Sequence, residues 1–458
     1  MEGYGAEAAA MGGASMAYDN GTAAFMNNPA TLALMPEGKR MDVAFGYLGP
    51  QVKSQGVASE ATAFSMPAFG WAVKKGRWVT GVGIYGQGGM GTEYADASEF
   101  GALASFGTAS GVGSNLRNRS EVGVGRVIFP VAVEVNDKLS LGGSLDYVWA
   151  GMDVQWLVDG KHFADLMATS ANPGATNTFG LASGSMVDAF GTQMGAGNIT
   201  GLGWGYFDFS NSNRYTGQAV GTGYAGKLGL TYKVNSKLTL GATYHSKTRL
   251  SDLTADDATV TFQVNGTGAY AGNPSIPVKG KMVVKDFQWP ETFGFGLSYQ
   301  ADDHWQWVAD YKRIGWKDAM RSFKMQFTAA GAAQQSGLAV GFANTVMDLD
   351  YKQQWKDQHV LMVGVAYSPG NGWTWRGGVN LANNPVPDQY VTPLFPAITT
   401  NHFTLGAGYA FSKTSTLDAA ISIVPKVTVT NQWGSLGGQN QTISMSQTNL
   451  QLLYSYRY

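Results

Sequence analysis

Side chains alternate between apolar residues and small or polar residues along many short segments of the chain. In residues 139–149, leucine, tyrosine and tryptophan alternate largely with serine, glycine and aspartate. The same period of two recurs in residues 238–245, 292–299 and 403–411. This period places one kind of side chain on each face of a β-strand. The chain is therefore predicted to be all-β, with one apolar, aromatic face and one small, polar face.

The amino-acid composition narrows the class of β-protein. Only 14% of the residues are charged, against about 25% in ordinary soluble domains. Glycine accounts for 62 of the 458 residues and aromatic residues for 12%. No run approaches the ~18 consecutive apolar residues of a transmembrane helix. A transmembrane β-barrel fits this combination, because its apolar face contacts lipid. Alternation alone leaves open a soluble sandwich, whose apolar face would pack inward.

Several function classes are excluded by simple counts. The chain has no cysteine, which rules out disulfides, zinc-thiolate sites and a catalytic thiol. A net charge of -1 provides no basic surface for nucleic acid. The five histidines lack metal-binding spacing, and no G-x-S-x-G motif is present. We therefore expect no metal, no cofactor and no enzymatic activity, and no nucleic-acid partner.

The connections between the predicted strands are of two kinds. Tight polar turns occur near residues 74–77, 135–138, 234–237, 300–303, 368–372 and 412–415. Long connections rich in glycine, serine and asparagine lie at about 88–119, 159–222, 251–284 and 328–352. Tight turns at one end and long extracellular loops at the other are typical of outer-membrane barrels. Six hairpins with one further strand at each end predict a closed barrel of about fourteen strands.

Aromatic residues also cluster on the outward face at the predicted strand ends, as expected for interfacial girdles. These residues are Trp305, Trp307, Tyr311, Trp316, Trp373, Trp375, Tyr454, Tyr456 and Tyr458.

Charged residues lie on the small, polar face of the predicted strands, which would line the lumen. They are Asp146, Lys227, Asp310, Lys312, Arg376, Asp418 and Arg457. Buried charges need partners, so a network that braces the barrel is favoured. The alternative is that one basic residue binds the carboxylate of a fatty acid.

The long connection 159–222 contains two apolar groups that could capture a hydrophobic ligand. The groups are Phe163, Leu166 and Met167, followed by Met186, Val187 and Phe190. The second group has helical spacing, and methionine adapts well to ligands of varied shape. Equally, these residues could pack on one another and only cap the barrel.

The first forty residues do not have the pattern of a strand. They contain G-Y-G-A at 3–6, A-M-G-G-A at 10–14 and N-P-A at 28–30. Further motifs are G-T-E-Y at 91–94 and the segment from W-R-G-G-V-N to N-P-V-P within 375–387. With these motifs the whole chain resembles the FadL/TodX family of outer-membrane transporters for hydrophobic compounds.

The resemblance implies two parts: an N-terminal hatch, residues 1–40, inside a barrel formed by residues 41–458. Hatch movement and a kink in the third strand would release substrate sideways into the membrane. The residues implied in gating are Gly3, Tyr4, Gly5, Asn27, Asn28 and Pro29, and those at the kink are Gly86, Gly88 and Gly89. Glycines clustered in a strand are typical of a bulge or bend, although they could also simply begin a loop.

The resemblance further implies passive uptake of aromatic hydrocarbons or long-chain fatty acids across the outer membrane of a Gram-negative bacterium. The protein would be a monomer that contacts membrane lipid and lipopolysaccharide and is inserted by the barrel-assembly machinery. The chain begins without a basic and apolar leader, so a signal peptide is expected to have been removed. The alternatives are a general diffusion porin and, less favoured, an outer-membrane hydrolase.

Overall fold

The computed structural model describes residues 3–94, 116–213, 217–433 and 440–458. In these residues, 22 β-strands form a single sheet. Their bounds are β1 Gly38–Ser54, β2 Val57–Ala58, β3 Phe64–Lys75, β4 Trp78–Tyr94, β5 Asn118–Glu134, β6 Leu139–Asp159, β7 Gly180–Ser183, β8 Ile199–Phe209, β9 Ala219–Lys233, β10 Leu238–His245, β11 Arg249–Leu250, β12 Leu253–Gly266, β13 Ser275–Lys285, β14 Thr292–Gln300, β15 Trp305–Ile314, β16 Ser322–Ala329, β17 Val346–Lys352, β18 Gln358–Tyr367, β19 Trp373–Ala382, β20 His402–Ala410, β21 Ser415–Thr430 and β22 Thr442–Arg457.

Helices are short and few in the described parts of the chain. The α-helices are α1 Ala6–Ala10, α2 Gly160–Leu166, α3 Ser185–Gly195 and α4 Trp316–Ala319. The 3-10 helices are Gly21–Phe25, Pro29–Leu34, Gly268–Tyr270, Ala332–Gln334, Gly337–Phe342 and Asp388–Tyr390. Among the residues described, no helix combines the length and the apolar character needed to cross a membrane.

Hydrogen bonds between antiparallel strands close the sheet on itself. The ring of pairs runs through β1, β3, β4, β5, β6, β9, β10, β14, β15, β18, β19, β20, β21 and β22. The last strand returns to the first, with pairs from Arg40–Arg457 to Ser54–Ile443. The predicted all-β closed barrel is confirmed.

The predicted long connections contain strands of their own, so the sheet has more strands than the fourteen that form the ring. Residues 159–222 form α2, β7, α3 and β8, residues 251–284 form most of β12 and β13, and residues 328–352 include β17. These strands pair with one another beyond the ring and enclose a large apolar core. Most of 88–119 falls outside the described residues, but β4 extends to Tyr94.

Each tight turn predicted from the sequence joins two paired strands, which confirms all six hairpins. The turn between β14 and β15 shows how such a turn is stabilised. The Asp302 carboxylate accepts the backbone N–H groups of His304 and Trp305, at 2.8 and 2.9 Å. These hydrogen bonds, first that from His304 and then that from Trp305, lower the pKa of Asp302.

The two faces of the ring differ as the period of two predicts. On β6, Leu145 is 61% exposed on the outer surface, whereas its neighbour Asp146 is fully buried inside. Most of the predicted girdle residues are exposed, among them Trp307 and Trp375. Trp316 is an exception and the prediction for it is wrong. It begins α4, is 9% exposed and packs inside, because the chain turns inward after β15.

The N-terminal segment, residues 3–37, packs against the inner face of the ring. The backbone N–H of Gly12 donates to Thr404 Oγ1 on β20, and Asn28 Nδ2 donates to the carbonyl of Leu230 on β9. The barrel wall carries glycine where the backbones approach most closely. A Cβ at Gly378 on β19 would overlap the backbone of Met11 and Gly12. Small residues on both sides therefore allow this contact.

We expect Gly378→Val to displace the N-terminal segment without opening the ring. Overpacking costs about 1–3 kcal/mol, so amide hydrogen exchange in residues 3–37 should accelerate about ten-fold or more. Gly377→Val is the matched control, because a Cβ there makes only an ordinary 3.5 Å contact with Leu405 on the outer face. Equal exchange in the two variants would contradict the close approach.

Candidate ligand cavity and lateral window

Strands β3 and β4 stop pairing well before either strand ends. Their last pair is Ala68–Tyr85. Beyond that pair, β3 continues to Phe64 and is paired only with β1. In the same way, β4 continues to Tyr94 and is paired only with β5. The two segments approach again where the Glu60 N–H donates to the carbonyl of Glu93, at 2.8 Å. We call the opening between residues 64–67 and 86–92 the lateral window.

A β-bulge in β4 shapes one side of the lateral window. The register with β5 shifts between Gly86 and Gly88, so Gln87 is the extra residue. The Tyr4 hydroxyl donates to the Gln87 carbonyl at 2.5 Å, and Arg126 Nε donates to Gln87 Oε1 at 2.5 Å. Gly86, Gly88 and Gly89 therefore lie at an irregular part of a strand. The alternative that they begin a loop is wrong.

A cavity of about 410 Å³ lies inside the ring and borders the lateral window. Aromatic side chains form much of its wall. They include Phe64, Tyr85, Trp156, Phe287, Trp289, Trp316, Phe323, Tyr351, Trp355 and Phe395. Phe45 and Phe69 also line the cavity, although they belong to the outer face and are 49% and 39% exposed. The cavity therefore extends to the outer surface of the barrel at the lateral window.

Three tryptophans from separate segments meet at this wall. The ring centres of Trp289 and Trp316 are 5.5 Å apart, and those of Trp316 and Trp355 are 5.1 Å apart, both edge to face. This arrangement is favourable for aromatic rings. Trp289 also lies against the bulged strand, since a Cβ on Gly88 would be 2.5 Å from its ring. The Trp289 ring therefore lies beside the lateral window at Gly88, where β4 has no side chain.

The polar part of the cavity wall is almost uncharged. Among the described residues that line it, none is lysine or arginine, and the one carboxylate is Asp42. Its amide and imidazole groups belong to Gln87, Gln353, Gln358, His402, Gln447, Asn449 and Gln451.

Most of the charges predicted for the lumen are buried in ion pairs away from the cavity. Asp146 accepts Arg126 Nη1 at 2.7 Å and also pairs with Lys227. Arg376 pairs with Asp418 at 2.7 Å. The basic residues of these ion pairs are already engaged by carboxylates of the protein, and the pairs link strands of the ring. These contacts support the bracing interpretation over a carboxylate-binding one.

Other predicted charges have different positions. Asp310 accepts the backbone N–H groups of Ser15 and Met16, at 2.5 and 3.0 Å, and so holds the N-terminal segment. Lys312 is buried two residues further along β15. Arg457 is half-buried at the end of β22.

Sequence reasoning missed several charges that take part in these contacts. Arg40 pairs with Asp42 at 3.0 Å and with Asp19 at 3.3 Å, and Arg376 reaches Glu7 at 3.5 Å. Arg40 and Asp42 share the inward parity of β1, which could have revealed them. Arg126 was hidden because the inward face of β5 also carries apolar residues.

Only some of the residues predicted to gate the lumen lie at the cavity wall. Gly3, Tyr4 and Gly5 line it. The Asn27 side chain bonds both the N–H and the carbonyl of Tyr4, each at 2.9 Å. Asn28 Oδ1 accepts the Ala30 N–H at 3.1 Å and so caps the 3-10 helix that begins at Pro29. Asn27 therefore fixes the position of Tyr4, whereas Asn28 bonds the Met16 and Leu230 carbonyls.

The predicted capture patch is not an exposed surface. Phe163, Leu166, Met167, Met186, Val187 and Phe190 are each at most 2% exposed. They belong to the apolar core formed by α2, α3 and the strands outside the ring. The helical spacing of the second group was correct, but its apolar side faces protein. The alternative, in which these residues pack on one another, is the one the structure supports.

We expect Asp146→Asn to destabilise the barrel strongly, because it leaves Arg126 and Lys227 buried without a carboxylate. Breaking a buried pair in this way costs about 3–5 kcal/mol, measurable as the free energy of unfolding by urea titration in detergent micelles. Asp357→Asn is the control, since Asp357 pairs with an Arg313 side chain that is 46% exposed and should change stability little. Similar losses in both variants would contradict the bracing role.

The chain is similar to solved transporters over its whole length. The toluene transporter TodX of Pseudomonas putida has a TM-score of 0.81 and 26% identity, covering 100% of this chain and 99% of that chain. The toluene transporter TbuX of Ralstonia pickettii has a TM-score of 0.75 and 30% identity, with the same coverage of 100% and 99%. Among curated proteins, an uncharacterized Chlorobium limicola protein from the phosphoenolpyruvate carboxykinase gene 5' region is 55% identical over 49 residues, which are 11% of this chain and only 24% of that protein.

A family model settles the classification. The model for outer membrane protein transport protein (OMPP1/FadL/TodX) matches residues 3–457. The solved relatives TodX and TbuX are both named as toluene transporters. The resemblance seen in the sequence motifs is therefore confirmed, and the chain belongs to the OMPP1/FadL/TodX family of outer-membrane transport proteins.

Proposed function

We propose that this protein is a channel for passive uptake of uncharged aromatic hydrocarbons across the outer membrane. The observation that carries the proposal is the cavity of about 410 Å³, which is walled by aromatic side chains and borders the lateral window. Ligand sites of this size and character suit small apolar molecules. TodX and TbuX, both named as toluene transporters, support the same substrate class.

The charges on the cavity wall favour a hydrocarbon over a fatty acid. A carboxylate that leaves water needs a cation or strong hydrogen-bond donors. None of the described lining residues is lysine or arginine, and Asp42 would repel an anion. The buried Lys227 is already paired with Asp146. An aromatic hydrocarbon needs only the apolar wall.

We propose that residues 1–40 act as a hatch. The described part of this segment occupies the inside of the ring and is held by Thr404, Asp310 and Leu230. Its Tyr4 hydroxyl reaches the bulge at Gln87. Movement of Gly3, Tyr4 and Gly5 would change the cavity wall next to the lateral window. A general diffusion porin would leave this packed segment without a role.

Lateral release is the exit route that we propose. The cavity lining includes Phe45 and Phe69 on the outer face, so a ligand that passes the lateral window enters the bilayer. An apolar molecule would then never need to re-enter water. In this proposal the protein acts as a monomer surrounded by outer-membrane lipid and lipopolysaccharide, after insertion by the barrel-assembly machinery.

The substrate class is tested by uptake in cells that lack their own transporter of this kind. With this chain expressed, we expect labelled toluene to enter several-fold faster than in cells with an empty vector, while labelled oleate enters at the background rate. Faster entry of oleate would contradict the hydrocarbon assignment, and unchanged entry of both would contradict the channel.

The exit route is tested by Gly88→Val. The new side chain would overlap the Trp289 ring, so we expect it to narrow the lateral window and reduce toluene uptake about ten-fold, with barrel content in the membrane unchanged. Gly377→Val again serves as the control, since it adds the same atoms to the outer face of β19. Full uptake by the Gly88 variant would count against exit at this position.

A further inference from the structure

His402 is a buried polar side chain on the cavity wall that the protein itself does not satisfy. It is the first residue of β20, is 4% exposed and lines the cavity. Its Nδ1 is buried and has no hydrogen-bond partner in the part of the chain that the structure describes. A buried polar atom without a partner costs free energy. Such an atom at the edge of a cavity therefore calls for a ligand.

Other polar groups of the same wall are already engaged by the protein. Gln358 Nε2 donates to the carbonyl of Asn383 at 3.1 Å. Gln353 Oε1 accepts the indole N–H of Trp355 at 3.3 Å. His402 differs from these glutamines, because its Nδ1 has no hydrogen-bond partner among the described residues.

Strand β22 adds uncharged amides on the same side of the cavity. Phe403 pairs with Ile423, and Ile423 pairs with Thr448. His402 precedes Phe403 on β20, and Gln447 precedes Thr448 on β22. His402 and Gln447 therefore lie at the same level of the sheet, roughly 10 Å apart with β21 between them. Gln447 makes only long contacts, at 3.9 Å to Met90 Sδ and 3.4 Å to Asn449, among the residues described.

The surroundings of His402 suit a neutral ligand group. Ala397 and Met445 belong to the same wall, and no described lysine or arginine lines it. A neutral imidazole has one nitrogen that accepts a hydrogen bond and one that donates. It can therefore accept a hydrogen bond from a hydroxyl group without any ion pair. The aromatic wall can hold the rest of such a molecule.

We infer that the cavity recognises uncharged aromatic molecules that carry a hydroxyl group, with the hydroxyl bonded to His402 and the ring against the aromatic wall. This inference rests on the proposed function and narrows its substrate class. A cavity wall made only of apolar groups would discriminate between a methyl and a hydroxyl substituent of the ligand by hydrophobicity alone. A site that contains an unpaired hydrogen-bonding atom instead binds the ligand with the hydroxyl more tightly than the ligand with the methyl group.

The test compares p-cresol with p-xylene, which differ by a hydroxyl in place of one methyl group. The full chain in detergent micelles is titrated with each, and binding is followed by tryptophan fluorescence. One net hydrogen bond of about 0.5–1.5 kcal/mol corresponds to p-cresol binding about 2- to 10-fold tighter. His402→Phe should remove this preference. His402→Gln should retain part of it.

Met445→Leu is the matched control, because it changes the apolar wall without removing a polar group and should leave the preference intact. Equal binding of the two ligands by the wild-type chain overturns hydroxyl recognition even if a His402 variant fails to fold. A preference that persists in His402→Phe also overturns it. In both cases p-xylene binding leaves the proposed function standing, whereas binding of neither ligand contradicts both. Tighter binding of p-toluate than of p-cresol would show that the site takes anions.

Discussion

Backbone hydrogen bonding is the constraint on which the rest of this structure depends. Lipid offers no partner to a peptide group, so a strand that crosses a bilayer must pair on both sides. The pairing of β22 with β1 meets this requirement by closing the ring. At the lateral window this requirement is not met on both sides. There β3 is paired only with β1, and β4 is paired only with β5. The exit route that we propose uses this interruption, which adjoins the cavity.

The inside of the ring solves a second problem, which is how to satisfy the backbone polar groups of the N-terminal segment once that segment is buried. Buried charges on the wall do this directly. Asp310 accepts backbone N–H groups of Ser15 and Met16, and Arg376 contacts Glu7. These charges do not line the cavity, where Asp42 is the one carboxylate among the described lining residues. The charged residues that brace the barrel and the cavity that we propose for the ligand therefore lie in different places. The cavity wall can then consist largely of aromatic side chains.

Particular residues show how far prediction from the sequence could go. The alternation around Asp146 and the tight turn at Asp302 are local patterns, and both were interpreted correctly. The apolar groups around Phe163 and Phe190 were not, because periodicity shows that a face is apolar without showing what covers it. Trp289 and His402 carried no signal at all. Their importance comes from contacts with strands that are distant in sequence.

What the sequence by itself determined is the barrel: period-two alternation assigns each side chain to a face, and short turns join neighbouring strands. Both are properties of a few adjacent residues, so they can be found without knowing the fold. Only the tertiary structure decided the lateral window, the cavity and the position of the N-terminal segment. These depend on where β3 and β4 separate and on meetings such as Tyr4 with Gln87 and Gly88 with Trp289. Such contacts exist only once the ring has closed.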